Sequence, residues 1–395
     1  MLLAVMALPP ALMAQERHIT RDGDTWVETS TGTLPAANAV KVITDLGSVQ
    51  VEGTEGNQIS YTVTKRVHAY SQDAAQRIFD AVAVSASTQG ETAYLRGQAS
   101  RGSFHNFSAS FAVRVPRQLT QASARTGGGS LDVMHINGHL EAETGGGNVH
   151  LDDIGGGAEV TTGGGNVDVG KVSGGTLEIE TGGGSIHIGT VQGTLQARSG
   201  GGRIDVETGY GAMSLNTGGG SIRVGSCRGD LEAQTGGDNI IIGDVIGRAE
   251  LETGGGSIHL GSASGPVRAE TGGGSLELRG LGQGVEAETG AGAITAEFVG
   301  RAMQDSRLET AAGDIHVYLP SDMRATVSAS IDMADGHEIR SEFSELRVIN
   351  EGGDWGPKES YCKGSLNGGG QRLSVHTTTG NIDFMRTESA SARRH

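Results

Sequence analysis

The sequence predicts an all-β fold: a single-chain parallel β-solenoid (β-helix) with 18-residue coils and a strand/helix cap at the N-terminal end. Three observations predict it. A Thr or Ser precedes a glycine cluster at a fixed interval, and apolar residues recur at fixed offsets from it. The chain of 395 residues also contains 67 glycines but only 4% aromatic residues. Short units that cannot bury their own apolar face are typical of solenoids.

The repeat interval is 18 residues, with a single interval of 19 after the third copy. The residues that precede the glycine clusters are Thr126, Thr144, Thr162, Thr181, Ser199, Thr217, Thr235, Thr253, Thr271 and Thr289. Thr310 begins a last, irregular copy. We interpret the clusters as corners, in which glycine supplies a positive φ and the Thr side chain bonds N–H groups that the corner leaves unpaired.

Apolar residues define the strands of each copy. With the Thr numbered zero, they occupy positions −4, −2, +5, +7 and +10, which for Thr181 are Leu177, Ile179, Ile186, Ile188 and Val191. Pairs of apolar residues two apart indicate short strands with one buried face. Each coil is therefore expected to contain a strand, the glycine corner, a second strand, a corner, a short third side and a final corner.

Five segments are predicted along the chain. They are a signal peptide at 1–14, a capping region at 15–125, the repeat solenoid at 126–319, C-terminal strands with a closing coil at 320–385, and a disordered tail at 386–395. The first segment is a short apolar run that ends in Leu12-Met13-Ala14, a plausible signal-peptide cleavage site, although no Lys or Arg precedes it. The native start is therefore left open, and we expect an exported protein of the periplasm, cell surface or medium with no transmembrane segment after cleavage.

The capping region breaks the 18-residue period. A helix is expected from an N-cap at Ser71 to about Val84, and "TDLGSVQV" is interpreted as a degenerate coil. The two cysteines are too few for a disulfide scaffold. Cys227 occupies position +10 and is expected to be buried as a small apolar residue, whereas Cys362 is expected in a distant loop, so a bond between them is disfavoured.

The motifs resemble those of a known family. Thr-Gly-Gly-Gly-Ser/Asn followed by an apolar-x-apolar strand, "FAVRVPRQLTQASARTGGGSLDV" and "LNGGGQRLSVHTTTGNIDF" are similar to a bacterial family of β-strand-repeat proteins described as putative adhesins. The resemblance extends from Asn57 to Phe384. It implies an exported or envelope-associated solenoid, it links related domains to envelope stress responses, and it provides no catalytic residues.

The glycine clusters do not match known ligand loops. A phosphate loop requires a Lys and a helix after the glycines, whereas Ser or Asn and a strand follow here. Calcium-binding β-rolls contain two glycine nonapeptides per 18 residues, and this chain has one cluster per coil. No cofactor is expected. The formal net charge of −16 argues against nucleic acid or anionic lipid as the main partner.

Function is therefore sought in the side chains that point outward. Position +6 alternates between acidic and other residues, and its weak candidates for a transition-metal site are Asp132, His150, Asp168, His187 and Asp205. We favour the simpler interpretation that the alternation avoids stacking like charges. Positions −3 and −1 are mostly acidic, which is typical of a solvated face.

Basic and apolar exceptions near the middle of the repeat form the candidate ligand site. These residues are Arg198, Arg203, Tyr210, Arg223, Arg228 and Ile241. A cationic, partly apolar area on an acidic chain suits an anionic glycan or a protein partner.

Three functions are open from the sequence. The first is a non-enzymatic exported module, an adhesin or a binder of an envelope polymer or protein. The second is a carbohydrate-active β-helix enzyme, a lyase or a hydrolase. Its site could only lie in the irregular segment 350–370, which contains Asp354, Trp355, Glu359 and Tyr361. The third is a periplasmic accessory protein of the envelope stress response. The nearly insertion-free coils argue against the groove that an enzyme needs.

Overall fold

The computed structural model describes residues 16–100, 106–351 and 358–387. The chain divides into two compact units, Met1–Gly164 and Gly165–His395. The predicted signal peptide lies outside the described residues, as does the predicted tail apart from Arg386 and Thr387, which end a strand rather than starting a tail.

The first unit contains one described helix and thirteen strands. They are β1 (Glu16–Asp22), β2 (Thr25–Leu34), β3 (Ala39–Thr44), β4 (Ser48–Thr54), β5 (Ile59–His68), α1 (Gln72–Asp80), β6 (Val82–Gln89), β7 (Thr92–Ala99), β8 (Phe107–Pro116), β9 (Gln121–Thr126), β10 (Leu131–Ile136), β11 (His139–Thr144), β12 (Val149–Ile154) and β13 (Ala158–Thr162).

Two sheets build this unit, and both change from antiparallel to parallel pairing. The sheet that contains the strands after the glycine clusters is here called the plus sheet, and its order is β1–β2–β5–β8–β4–β10–β12. The sheet that contains the strands before the clusters is called the minus sheet, and its order is β6–β7–β3–β9–β11–β13. Strand β4 pairs in parallel with β10, with Val49 opposite Leu131, which confirms that "TDLGSVQV" is a coil.

The helix is shorter than predicted. Ser71 caps it, as expected, by accepting a hydrogen bond from the Ala74 N–H, but it ends at Asp80 and β6 begins at Val82. The apolar residues from Val82 onward alternate with period two, which favours a strand over a helix. Phe79 is fully buried in a cluster with Val67.

The second unit contains strands only. They are β14 (Val167–Val172), β15 (Thr176–Thr181), β16 (Ile186–Val191), β17 (Thr194–Ser199), β18 (Ile204–Gly209), β19 (Met213–Thr217), β20 (Ile222–Cys227), β21 (Leu231–Thr235), β22 (Ile240–Val245), β23 (Ala249–Thr253), β24 (Ile258–Ala263), β25 (Val267–Thr271), β26 (Leu276–Leu281), β27 (Val285–Ala291), β28 (Ile294–Phe298), β29 (Ser306–Ala312), β30 (Ile315–Pro320), β31 (Ala325–Ile331), β32 (Ile339–Ser341), β33 (Arg347–Glu351), β34 (Glu359–Leu366), β35 (Arg372–Thr379) and β36 (Ile382–Thr387).

Its coils stack in parallel and in the predicted register. Even-numbered strands from β14 to β30 form a plus sheet and odd-numbered strands from β15 to β29 a minus sheet, and Ile186 lies opposite Ile204, one repeat later. The apolar residues predicted around Thr181 are all at most 1% exposed. The 18-residue β-solenoid is thus confirmed. The expected short third side is not separate, because positions +8 to +10 continue the plus strand past an interruption of the ladder at +8.

The closing unit does not end the stack. Strands β35 and β36 pair in parallel with β29 and β30, so the last strands of the chain lie directly on the irregular copy that starts at Thr310. Strand β31 pairs in parallel with β35. On its other side β31 pairs with β34, and β34 pairs with β33, both in antiparallel fashion, so the minus sheet continues in the order β35–β31–β34–β33. Side-chain pattern alone could not reveal this order, because it depends on pairing between strands distant in sequence.

The glycine corners have a different cause from the one predicted. Among the described residues, no glycine in the corners that follow Thr126 to Thr289 has a positive φ. Instead, successive corners pack backbone on backbone. A Cβ on Gly200 would lie 2.1 Å from the Gly182 carbonyl oxygen, and one on Gly202 would lie 2.0 Å from that of Gly184. The middle glycine is different, since a Cβ on Gly201 would meet nothing within 4 Å. No contact of the described residues explains glycine at the middle position.

The Thr column joins consecutive corners, as the sequence suggested. Thr217 is 2% exposed. Its Oγ1 donates to the Gly202 carbonyl at 2.7 Å and accepts from the Gly220 N–H at 3.4 Å. The same donation to the preceding corner recurs from Thr144 to Gly129 and from Ser199 to Gly184. The hydroxyl therefore pairs a carbonyl and an N–H that the corner would otherwise leave unpaired.

Removing one hydroxyl group from this Thr column should destabilise the fold. We expect Thr217→Val to lower the free energy of unfolding by about 1–3 kcal/mol, because a buried carbonyl and an N–H lose their partner. Thr217→Ser keeps the hydroxyl and is expected to lose less. Urea unfolding followed by circular dichroism measures both. A loss in Thr217→Ser with none in Thr217→Val would show that the methyl group matters and the hydroxyl does not.

Both cysteines are buried free thiols. Cys227 ends β20 and is 0% exposed, which confirms its predicted place in the coil interior. Cys362 lies within β34 rather than in a loop, opposite Ala329, so that prediction was wrong. Burial raises the pKa of each thiol, which disfavours the reactive thiolate.

Candidate functional site

The six predicted ligand residues lie on three different surfaces of the second unit. Arg203, Arg223 and Ile241 belong to the outer side of the plus sheet, where Arg223 lies opposite Ile241 in the neighbouring strand. The minus sheet carries Arg198. The corner that follows the plus strands carries the other two, Tyr210 and Arg228. The coil geometry thus separates residues that the sequence places close together.

The plus-sheet group is organised around one carboxylate. Arg203 Nε lies 2.9 Å from Asp205 Oδ2, and Arg223 Nε lies 3.7 Å from Asp205 Oδ1. The arginine side chains are 58% and 60% exposed, whereas that of Asp205 is only 18% exposed. Both cations remain accessible, but one carboxylate partly neutralises them. Ile241 is half-buried beside them.

The corner group stacks a cation on an aromatic ring. The Arg228 guanidinium carbon lies 4.8 Å from the centre of the Tyr210 ring. Ile246, which the sequence analysis missed, has the same offset one coil later and is 57% exposed. On the minus sheet, Arg198 Nη1 lies 3.4 Å from Glu178 Oε1. The corner is therefore the more apolar of these surfaces.

One further site, absent from the sequence prediction, is concave and lies on the minus sheet. We call it the minus-sheet groove, a depression of about 680 Å³ near the end of the second unit. Its charged lining consists of Arg248, Arg268, Arg307, Arg372, Glu250, Glu286 and Asp305. Four cations against three carboxylates make it a basic area on an acidic chain.

Two of these arginines are committed to carboxylates and two are not. Arg268 Nη1 lies 3.4 Å from Glu286 Oε2, and Arg307 Nε donates to Glu309 at 2.7 Å. Glu270 and then Glu286 raise the pKa of Arg268. Within the part of the chain that the structure describes, neither Arg248 nor Arg372 has a side-chain ion pair. These two guanidinium groups are available to a ligand.

Sequence reasoning could have found only part of this groove. Positions −3 and −1 are mostly acidic, and Arg268 and Arg307 are visible exceptions at −3. The position of Arg372 could not be read in the same way. It reaches the groove because β35 pairs with β29, which is distant in sequence.

The column of weak metal candidates is in register but does not form a cluster. In the first unit Asp132 lies opposite His150. In the second unit Asp168, His187 and Asp205 lie in consecutive strands. Over residues 16–100, 106–351 and 358–387, no group of three His, Cys, Asp or Glu side chains could hold a metal ion.

The described part of the segment considered for an enzyme site is more regular than predicted. Glu359 and Tyr361 belong to β34, which pairs with β33 in antiparallel fashion. Asp354 and Trp355 lie outside the described residues. In the described ranges, no helix combines the length and the apolar character needed to cross a bilayer.

His259 and Glu277 form a testable pair on the outer side of the plus sheet. The His259 Nδ1 atom lies 3.0 Å from Glu277 Oε2, and this hydrogen bond, followed by the charge of Arg279, holds the pKa of Glu277 below its ordinary value. Stability from this carboxylate is therefore present above its unfolded-state pKa and is lost as the pH falls through the lower folded-state pKa.

We expect His259→Ala to raise the pKa of Glu277 towards its ordinary value, because the hydrogen bond is the largest cause of the shift. Arg279→Ala should raise it less. Carboxyl chemical shifts followed by NMR during an acid titration measure both. An unchanged Glu277 pKa in His259→Ala would contradict the paired geometry.

The comparisons with known proteins agree with the fold. Residues 41–235 match the model of the Toastrack DUF4097 family. This match confirms the predicted resemblance to a β-repeat family of unknown function whose members are described as putative adhesins. A search of curated proteins gave no significant match.

Several solved structures are similar at low identity. A "putative adhesin" from Bacteroides fragilis is 15% identical, with a TM-score of 0.31 over 69% of this chain and 97% of that one. A "putative cell adhesion protein" from Clostridium sporogenes is 9% identical, with a TM-score of 0.19 over 95% and 100%. A "putative lipid binding protein" from Parabacteroides distasonis is 11% identical, with a TM-score of 0.21 over 92% and 97%. At these values the likenesses carry no argument about function.

Proposed function

We propose a non-enzymatic role for this chain, whose residues 41–235 match the Toastrack family model, as an exported binding module for an anionic envelope glycan. The observation that carries the proposal is the minus-sheet groove with its two unpaired arginines, Arg248 and Arg372. A guanidinium group donates in a planar fork that matches a carboxylate or a sulfate.

The repeat architecture suits a polymer ligand. A given position of the coil recurs about every 4.8 Å along the sheet. Side chains at that position in neighbouring coils are therefore presented to a ligand at a regular spacing. The acidic columns at −3 and −1 surround the groove and repel anions elsewhere on the minus sheet. A polyanion would therefore be directed to the groove, where arginines interrupt or flank these acidic columns.

The experiment compares three double variants for binding to polygalacturonate, a carboxylated polysaccharide. We expect Arg248→Glu/Arg372→Glu to weaken binding at least tenfold, while Arg203→Glu/Arg223→Glu on the plus sheet has little effect. The pair Arg198→Glu/Arg279→Glu changes charge equally elsewhere and serves as a control. Isothermal titration calorimetry at two salt concentrations provides the affinities.

Each result decides between the surfaces. Loss of binding only in the plus-sheet variant would transfer the site to Arg203 and Arg223. Equal losses in all three variants would indicate non-specific charge attraction and contradict a groove. Depolymerisation of the polysaccharide by the unmodified protein would favour the alternative, a carbohydrate-active enzyme.

The remaining alternative is a periplasmic accessory protein of the envelope stress response. It differs from the first proposal in its partner, which would be a protein. Retention of a protein partner by the Arg248→Glu/Arg372→Glu variant would place that partner on another surface.

A further inference from the structure

The second unit leaves a strand edge uncovered. Strand β33 pairs with β34 and, within the described residues, with no other strand. Val348 and Ile349 in this strand are 39% and 48% exposed. An exposed apolar edge offers unpaired N–H and C=O groups to another strand, and proteins normally protect such edges. From its pattern of charges, we propose that β33 pairs with the same strand of a second copy of this chain.

The pairing inside the chain leaves a charge unsatisfied. Arg347 lies directly opposite Lys363 of β34, and like charges in facing positions are unfavourable. Neither side chain has an ion pair within the part of the chain that the structure describes. An acidic residue supplied on the open side of β33 would be favourable for Arg347.

The sequence of the strand supplies that residue when the strand meets itself. It reads Arg-Val-Ile-Asn-Glu, with a basic residue at position 347 and an acidic one at 351. An antiparallel pair related by a two-fold axis through Ile349 places residue 347 of one copy opposite residue 351 of the other, twice. It is the only antiparallel register that pairs all five residues, and it brings the two exposed Ile349 side chains together across the axis.

The edge strand of the first unit fails the same test. Strand β1 pairs only with β2 among the described residues and is also exposed. Antiparallel self-pairing centred on Ile19 would place Arg17 opposite Arg21 and Glu16 opposite Asp22. Both contacts are between like charges and are therefore disfavoured. Charge complementarity thus favours β33 as the strand that pairs between copies.

Sedimentation velocity over a concentration series tests the proposal with the full chain. We expect the unmodified protein to form dimers. Arg347→Glu and Glu351→Arg should each raise the dimer dissociation constant at least tenfold, because each places like charges opposite one another twice. An equimolar mixture of the two variants should dimerise again, since each then supplies the charge that the other lacks.

Two further measurements keep the outcome decisive. Arg21→Glu on β1 changes charge on the other edge, and dimerisation should remain as in the unmodified protein. Circular dichroism must show that the β33 variants are folded. If either is not, Ile349→Lys replaces it, because two lysines facing each other across the two-fold axis should also weaken the dimer. A monomeric unmodified protein, or variants that dimerise alone and gain nothing on mixing, would overturn the proposal.

Discussion

Replacing Lys65 with methionine is expected to lower the free energy of unfolding by about 3–5 kcal/mol, the usual cost of breaking a buried ion pair from one side. The Lys65 side chain is 5% exposed and that of Glu28 is 1% exposed, and Nζ lies 2.9 Å from Glu28 Oε1. The same ammonium donates to the carbonyl oxygens of Phe79 and Val82 at 3.0 and 2.6 Å. It therefore ties the end of α1 to the strand beneath it.

Trp26 reports on this region, because its ring packs against the cluster around Phe79 and its Nε1 donates to the Ala69 carbonyl. Urea unfolding followed by tryptophan fluorescence in a Trp355→Phe background measures the loss. Arg17, whose side chain is 40% exposed, also pairs with Glu28, and Arg17→Met should cost clearly less. A loss below about 1 kcal/mol in Lys65→Met would contradict a structural role for the buried pair.

The second large effect concerns the glycine corners, where two adjacent alanine substitutions should behave in opposite ways. Gly200→Ala is expected to destabilise the fold by about 1–3 kcal/mol, since the new Cβ would collide with the Gly182 carbonyl and force two backbones apart. Gly201→Ala meets open space and should be neutral or stabilise by up to about 1 kcal/mol, because alanine restricts the unfolded chain.

Chemical unfolding of both variants under the same conditions gives the comparison. The first glycine of the corner is tested because the third is not always glycine. Asp238 occupies the third place in one copy, so the third place accepts a side chain. If Gly200→Ala and Gly201→Ala were equally destabilising, backbone stacking would not explain the glycines. Equal neutrality would lead to the same conclusion.

The coil could be predicted because its signals are local and repeated. The residues at −4, −2, +5, +7 and +10 face the interior as expected, and the Thr hydroxyls bond the corners. The prediction that the corner glycines supply a positive φ was wrong. A positive φ is a property of one residue, whereas the observed close approach is between the backbones of two neighbouring coils. A single sequence does not display that contact.

The candidate surfaces were harder to predict for a related reason. The period correctly assigns Arg203 and Arg223 to outward positions, but it does not separate the faces on which Arg198, Tyr210 and Arg228 lie. The minus-sheet groove includes Arg372, which lies there because β35 pairs with β29, a strand distant in sequence. Non-local pairing of this kind is set by the whole fold rather than by periodicity.

The central claim is that consecutive 18-residue copies stack in register, and a disulfide between neighbouring coils tests it most directly. His187 lies opposite Asp205 in the adjacent strand, at the spacing of about 4.8 Å that a disulfide can span. His187→Cys/Asp205→Cys should therefore form an intramolecular bond on mild oxidation. His187→Cys/Arg223→Cys places the thiols two coils apart, about 10 Å, and should not. Mass spectrometry of the folded protein gives the answer: a bond only in the first variant is predicted, and a bond only in the second would contradict the register.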